Sequence, residues 1–342
     1  MKSHLYLCTP RQLAKIILPT LGIVVITAAL LNWAQHSRIL PPAPATEDPD
    51  STVLLHQARA LRVPDPASLL LIGDSTCLVG VDAPDLSRRL PGNPKVLSLA
   101  LFIWIDLKIY GEEVERFAAA HPGQVQDVVL LVTPPKLSGQ TGDNTATRMW
   151  QQAVSAKYDY PPTADAGRDL LGGQIFRHHI LAHVLDSPLH GTGAEFFGFS
   201  SEIDKYLTEH HGSLISFGTV ATPRGAARPD WKLAPELEPE SRAFRAKLPP
   251  NVKLFIGLTP GPEGTCPPNN STSRATMLEG WNKWVQADAL LTNLPSSLPD
   301  VFFSGGGHLN ALGQKRFTAA LASSLAPLLD RGREQRSPVA GL

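Results

Sequence analysis

The stretch Ser68-Leu69-Leu70-Leu71-Ile72-Gly73-Asp74-Ser75-Thr76-Cys77 decides the fold. Four apolar residues run without a break into a glycine turn. A run this short, closed in this way, reads as a strand buried on both faces, the kind found in a parallel sheet covered by helices. Open α/β sheets present their reactive groups just past the carboxyl ends of the strands, and Ser75 falls there. A serine hydroxyl is a weak nucleophile until a base takes its proton. The partner must come from another strand end. Phe302-Phe303-Ser304-Gly305-Gly306-Gly307-His308-Leu309-Asn310-Ala311-Leu312-Gly313 offers His308.

Further strands and helices alternate outward from Leu69. Val96–Leu101 reads as the second strand, and Val128–Val132 as the third, closed by Thr133-Pro134-Pro135. Val252–Leu258 reads as the fourth and Val301–Phe303 as a short fifth. Helices are expected over Thr52–Leu61, from a cap at Asp82 or Asp85 to about Leu90, and over Ile105–Ala120, where Leu107, Tyr110, Val114 and Phe117 share one face. A closing helix runs from Leu312 to Leu329 with Asn310 as its N-cap. The alternation predicts an α/β fold, a three-layer, doubly wound sheet of five parallel strands.

Residues 136–250 exceed what a minimal connection between the third and fourth strands needs. Met149–Lys157 and Gly173–Leu185 look helical, and Ser213–Pro235 is rich in Gly and Pro. The segment reads as an insertion or lid over the strand ends.

The N-terminus has a different character. Ile16 to Trp33 is uncharged and mostly apolar, near the lower limit of length for a transmembrane helix. Lys2, Arg11 and Lys15 precede it, so residues 1–38 read as a cytoplasmic N-terminus and an uncleaved signal-anchor. Bulky Leu30, Leu31, Asn32 and Trp33 argue against a small-residue cleavage site. A proline-stiffened linker follows over 39–51, then the α/β domain over 52–333 and a flexible tail over 334–342. This layout places the main domain in the periplasm, held to the inner membrane by a single pass.

Composition agrees with a globular domain: of 342 residues, 43% are hydrophobic and 18% charged. Lys plus Arg and Asp plus Glu both number 31, so no basic field invites nucleic acid. There are three cysteines. Cys8 precedes the apolar span, whereas Cys77 and Cys266 fall in the exported part, each just past a strand end. Two readings are open: a Cys77–Cys266 disulfide fixing the rim of the site, or two unpaired, inert thiols. His179 and His183 stand at i and i+4, with His178 beside them, but no Glu lies between them and no third ligand is evident. They read as a solvated helix face, and His210-His211 likewise as surface. No metal or cofactor is expected.

Gly73-Asp74-Ser75 after the first strand resembles the nucleophile block of the SGNH/GDSL hydrolases. His308-Leu309-Asn310, with Gly313 and a helix behind it, resembles the terminal block of their membrane-anchored, envelope-associated branch. The resemblance spans roughly Leu69 to Leu329. It implies that Ser75 attacks an acyl carbonyl and that His308 takes and returns its proton. The backbone N–H of Ser75, and one from the loop after the second strand near Phe102, would face the oxyanion. The chain departs from the pattern at three places. Gly305 stands where the family has an Asp three residues before the His, so either Asp300 reaches in as the third member, or the pair works as a dyad, or another carbonyl orients His308. Leu101-Phe102-Ile103-Trp104 stands where the oxyanion Gly is expected. Thr133 lies nearest the place of the family Asn.

The resemblance further implies a serine esterase or O-acyltransferase acting on acyl esters of a cell-envelope polysaccharide, beside a membrane-bound acyltransferase. A non-catalytic glycan-binding scaffold, or a lipase or thioesterase, would use the same framework.

Overall fold

The computed structural model describes residues 49–62, 66–102, 105–139, 144–155, 202–215, 231–266, 270–305 and 307–334, with scattered positions between 12 and 30. The helix expected over Gly173–Leu185, with its three histidines, lies outside the described residues, as do Cys8 and most of the tail. Much of the expected anchor is also outside. Within it, positions 17–23, 25–26 and 29–30 are helical, and Ile17, Leu18, Leu21, Ile23, Val25, Ile26 and Leu30 are exposed. Among the described residues no helix is long and apolar enough to cross a membrane.

The core is a five-stranded sheet of β1 (Leu69–Gly73), β2 (Val96–Ser98), β3 (Asp127–Val132), β4 (Lys253–Leu258) and β6 (Ala289–Leu290), with β5 (Gly261–Pro262) and β7 (Ser297–Leu298) paired apart from it. Its order is β2-β1-β3-β4-β6, and every pairing is parallel. Successive side chains of a strand face opposite ways. Leu70, Ile72, Val128, Leu130, Leu254 and Ile256 therefore enter one apolar core, while Leu69, Leu71, Val129, Leu131 and Phe255 enter a second on the other face. The first core is closed by α4 (Leu107–Ala120), α7 (Glu238–Lys247) and α8 (Asn270–Val285), through Phe117, Phe244 and Trp281. The second is closed by α3 (Ala83–Arg89) and α9 (Ala311–Glu334), through Leu86, Phe317 and Leu321. Helices on both faces explain why the central strands are apolar throughout.

The fifth strand is not the one expected. Val301–Phe303 does not join the sheet: Asp300–Phe302 is a 3-10 turn with Val301 exposed. Phe303–Gly305 (β8) instead pairs antiparallel with His308–Leu309 (β9) in a small hairpin. The sheet edge is Ala289–Leu290, two residues long, with Leu291 N–H continuing the contact to the Ile256 carbonyl. The second strand is also shorter than expected, but Leu99 and Leu101 N–H still donate to the Leu71 and Gly73 carbonyls, so the chain tracks β1 to its end.

The insertion is only partly separate from the core. Its last helix, α7, packs against α4 within the covering layer of the sheet. Its earlier helices, α5 (Asn144–Ser155) and α6 (Glu202–Glu209), both pack against α1 (Pro49–Ala60), a helix that begins inside the stretch read as linker. The half-buried His56 and Arg59 of α1 both bond Asp204, at 2.9 Å each. His210 and His211, expected at the surface, are half-buried. His210 stacks on Tyr206 at 3.9 Å, and the His211 carbonyl accepts the Ser98 N–H at the free edge of β2. An exposed strand edge needs such cover.

Candidate active site

The turn that carries Ser75 begins at Gly73, whose φ of +147° places it where L side chains rarely go. A Cβ there would lie 1.8 Å from the Leu131 carbonyl oxygen, so only glycine lets β1 end this close to β3. The chain then enters α2 (Ser75–Gly80) with Asp74 as N-cap. The Asp74 carboxylate is fully buried. One oxygen accepts from Thr76 N–H at 2.9 Å and from the Thr76 hydroxyl, and the other accepts from Thr133 N–H at 2.8 Å. Burial pushes its pKa up, and these bonds oppose the push. Asp74 thus ties the end of β1 to the end of β3 and fixes Ser75, half-buried, in the first turn of α2.

The histidine arrives from the far end of the chain. Gly313, in the first turn of α9, carries no side chain where a Cβ would lie 2.2 Å from the Phe302 carbonyl oxygen, so helix and hairpin meet closely. Asn310 caps that helix: its Oδ1 accepts from Leu312 and Gly313 N–H at 3.1 Å, and its amide donates to the Val301 carbonyl at 2.8 Å. The β8–β9 hairpin then carries His308 to Ser75, with Nε2 3.0 Å from Oγ. Burial pushes the pKa of His308 down, opposed by the negative charges of Asp74 and Asp50. The downward shift favours the neutral imidazole, the form able to accept a proton.

The remaining candidates divide. Asp300 does not meet His308: its carboxylate accepts the Gly264 N–H at 2.9 Å. Among the described residues no carboxylate hydrogen-bonds Nδ1 of His308. Thr133 has its N–H committed to Asp74, so that group cannot face an oxyanion. Phe102 is half-buried, and its carbonyl is held by the Tyr110 hydroxyl at 3.0 Å and Ile105 N–H at 3.1 Å. The N–H groups of Ser75 and Phe102 donate to nothing among the described residues. The expected disulfide is absent. Cys77 and Cys266 do not bond each other: Cys77 points into the second core and is fully buried, whereas Cys266 packs beside Gly261 at the loop after β4. Burial pushes the Cys77 thiol well above its ordinary range, so it is inert.

Three groups of the site were missed by sequence reasoning. Lys136, fully buried just after β3, donates to the Ile105 carbonyl and holds the loop after β2. Burial lowers its pKa, and the charges of Asp74, Glu240 and Asp106 raise it again. The Thr259 hydroxyl, past the end of β4, lies 2.6 Å from the Thr76 hydroxyl. Arg274 of α8 donates to the Thr259 carbonyl at 2.6 Å. Thr133-Pro134-Pro135-Lys136 and Leu258-Thr259-Pro260 both follow strand ends, which was the available signal.

No family model matches the chain, and no curated protein matches it. Among solved structures, a "putative platelet activating factor from Streptococcus pneumonia" matches 82% of this chain and 92% of its own, with a TM-score of 0.36 and 11% identity. A similarity this low decides nothing about the site, whose reading rests on its own geometry.

Proposed function

We propose that this chain is a serine esterase or O-acyltransferase of the SGNH/GDSL type. The observation that carries the reading is the 3.0 Å approach of His308 Nε2 to Ser75 Oγ, from residues 233 positions apart. Ser75 Oγ attacks the acyl carbonyl carbon while His308 takes its proton. The resulting oxyanion faces the N–H groups of Ser75 and Phe102. Collapse of the intermediate expels the alcohol, which receives the proton from His308. Water then attacks the acyl-serine in hydrolysis, or an acceptor hydroxyl does so in transfer, with His308 again as base. Such base assistance is worth about a hundred- to ten-thousand-fold.

The substrate in this reading is an acyl ester, such as acetyl, on a cell-envelope polysaccharide. The apolar span Ile16–Trp33, with Lys2, Arg11 and Lys15 before it, supports an inner-membrane anchor and a periplasmic domain. A membrane-bound acyltransferase is the matching partner for the transfer reaction. A second reading, a non-catalytic glycan-binding protein on the same fold, is favoured by the position of Asp300, turned away from His308 to Gly264.

Acyl release and acyl transfer from an acetylated glycan separate the two. Ser75→Ala should abolish both while leaving the circular dichroism spectrum unchanged. Turnover that is the same in Ser75→Ala and wild type would overturn the enzyme reading.

A further inference from the structure

Arg274 lies on the inward face of α8 with Met277, Leu278 and Trp281, and only 6% of it is exposed. A guanidinium this deep is ordinarily matched by a carboxylate, because an uncompensated buried charge is costly. Among the described residues its one hydrogen bond is to the Thr259 carbonyl, and no carboxylate pairs with it. Burial lowers its pKa to about 10, and the cation persists at neutral pH. The guanidinium has five N–H donors in a fixed fork.

Those donors have somewhere to point. A cavity of about 150 Å³ opens beside Arg274, lined also by Leu258, Ser271, Thr292, Leu294 and Ser296. Its walls combine apolar side chains with three hydroxyls, and Arg274 is the one charged residue in its lining. The cavity sits at the carboxyl end of β4, on the edge of the sheet where Ser75 also stands. Two contacts join them: Arg274 to the Thr259 carbonyl, and the Thr259 hydroxyl to the hydroxyl of Thr76, the neighbour of Ser75.

We infer that Arg274 and this cavity form an oxyanion subsite, which takes a carboxylate or phosphate group carried by the molecule acylated or deacylated at Ser75. The fork of Arg274 grips two oxygens of the anion, and Ser271, Thr292 or Ser296 donates to the remainder. The link to acyl chemistry rests on the reading of Ser75 as nucleophile, whereas the binding of the anion does not.

Calorimetric titration of the full chain with glucuronate, inorganic phosphate and neutral glucose, at fixed ionic strength, tests the inference. Saturable binding of glucuronate or phosphate, with none for glucose, is expected. The stronger of the two anions tells a sugar carboxylate from a phosphate. Arg274→Gln should weaken binding by about tenfold or more, the loss expected for a charge-assisted hydrogen bond. Ala275→Phe, which fills the cavity from α8 while keeping Arg274, should weaken it as well, and this holds the test open if Arg274→Gln fails to fold. Ser75→Ala should bind the anion as wild type does. Absence of saturable binding by either anion, or equal affinity in wild type and Ala275→Phe, would overturn the subsite. Acyl turnover that persists without anion binding would sink the subsite alone, and anion binding by a protein inert at Ser75 would sink the esterase reading alone.

Discussion

The two arms of the site are built differently. The serine arm is part of the sheet: Gly73 presses against the backbone of β3, and the buried Asp74 bonds both Thr76 and Thr133. The histidine arm stands outside the sheet on a two-residue strand, positioned by Asn310, Gly313 and the start of α9. One arm is fixed by buried backbone and a buried charge, the other by a cap and a close packing contact. A hydroxyl can thus be set by the fold itself, while the imidazole that meets it is brought in by a local device that leaves Nδ1 without a carboxylate among the described residues.

That contrast can be broken at several points. The largest effect is expected from Gly73→Ala, since the added Cβ would lie 1.8 Å from the Leu131 oxygen. The domain should lose most of its stability, read as a fall in thermal midpoint or a failure to express in folded form. A wild-type midpoint would mean that the serine arm is not held as described. Next, Asp74→Asn leaves one of the N–H groups of Thr76 or Thr133 facing an amide donor in a buried place. A loss of about 1–3 kcal/mol in chemical denaturation is expected.

The pH profile sharpens the histidine side. Burial lowers the pKa of His308, so the acidic limb of kcat/KM should lie below its ordinary value of 6.5. The sign for stability follows from the same shift. A folded pKa below the unfolded one means that the unfolded chain binds the proton more readily. His308 therefore costs no stability above the ordinary histidine range and reduces it as pH falls through that range. A limb above 6.5 would indicate a carboxylate partner on Nδ1. The smallest effect is expected from Asp300→Asn. The change leaves an acceptor oxygen for Gly264 N–H, and kcat should stay within about twofold on the scale where base catalysis itself is worth a hundredfold or more.

The same difference governs what the sequence could reveal. β1, β3 and β4 were legible because helices cover both faces of the sheet, which demands unbroken apolar runs. β6 was not: Ala289–Leu290 forms only two paired positions, too few to leave a pattern, while the more apolar Val301-Phe302-Phe303 was spent on a turn and a hairpin. Ser75 and His308 could be named from their motifs and their chain order. Arg274 could not, since an arginine in a polar helix start such as Asn270-Ser271-Thr272-Ser273-Arg274 reads as a solvent-facing charge, and only the tertiary packing of α8 buries it. The Cys77–Cys266 pairing failed because proximity to strand ends does not fix direction: Cys77 turns down into the core from the helix that starts at Ser75.

The most direct measurement is the rate at which a fluorophosphonate modifies Ser75 in wild type and in His308→Gln, with the labelled residue mapped by mass spectrometry. If His308 is the base for Ser75, wild type should label stoichiometrically at Ser75, and His308→Gln should react about a hundred- to ten-thousand-fold more slowly. Equal rates in the two proteins, or no label at Ser75 in either, would contradict the pairing of this hydroxyl with this imidazole.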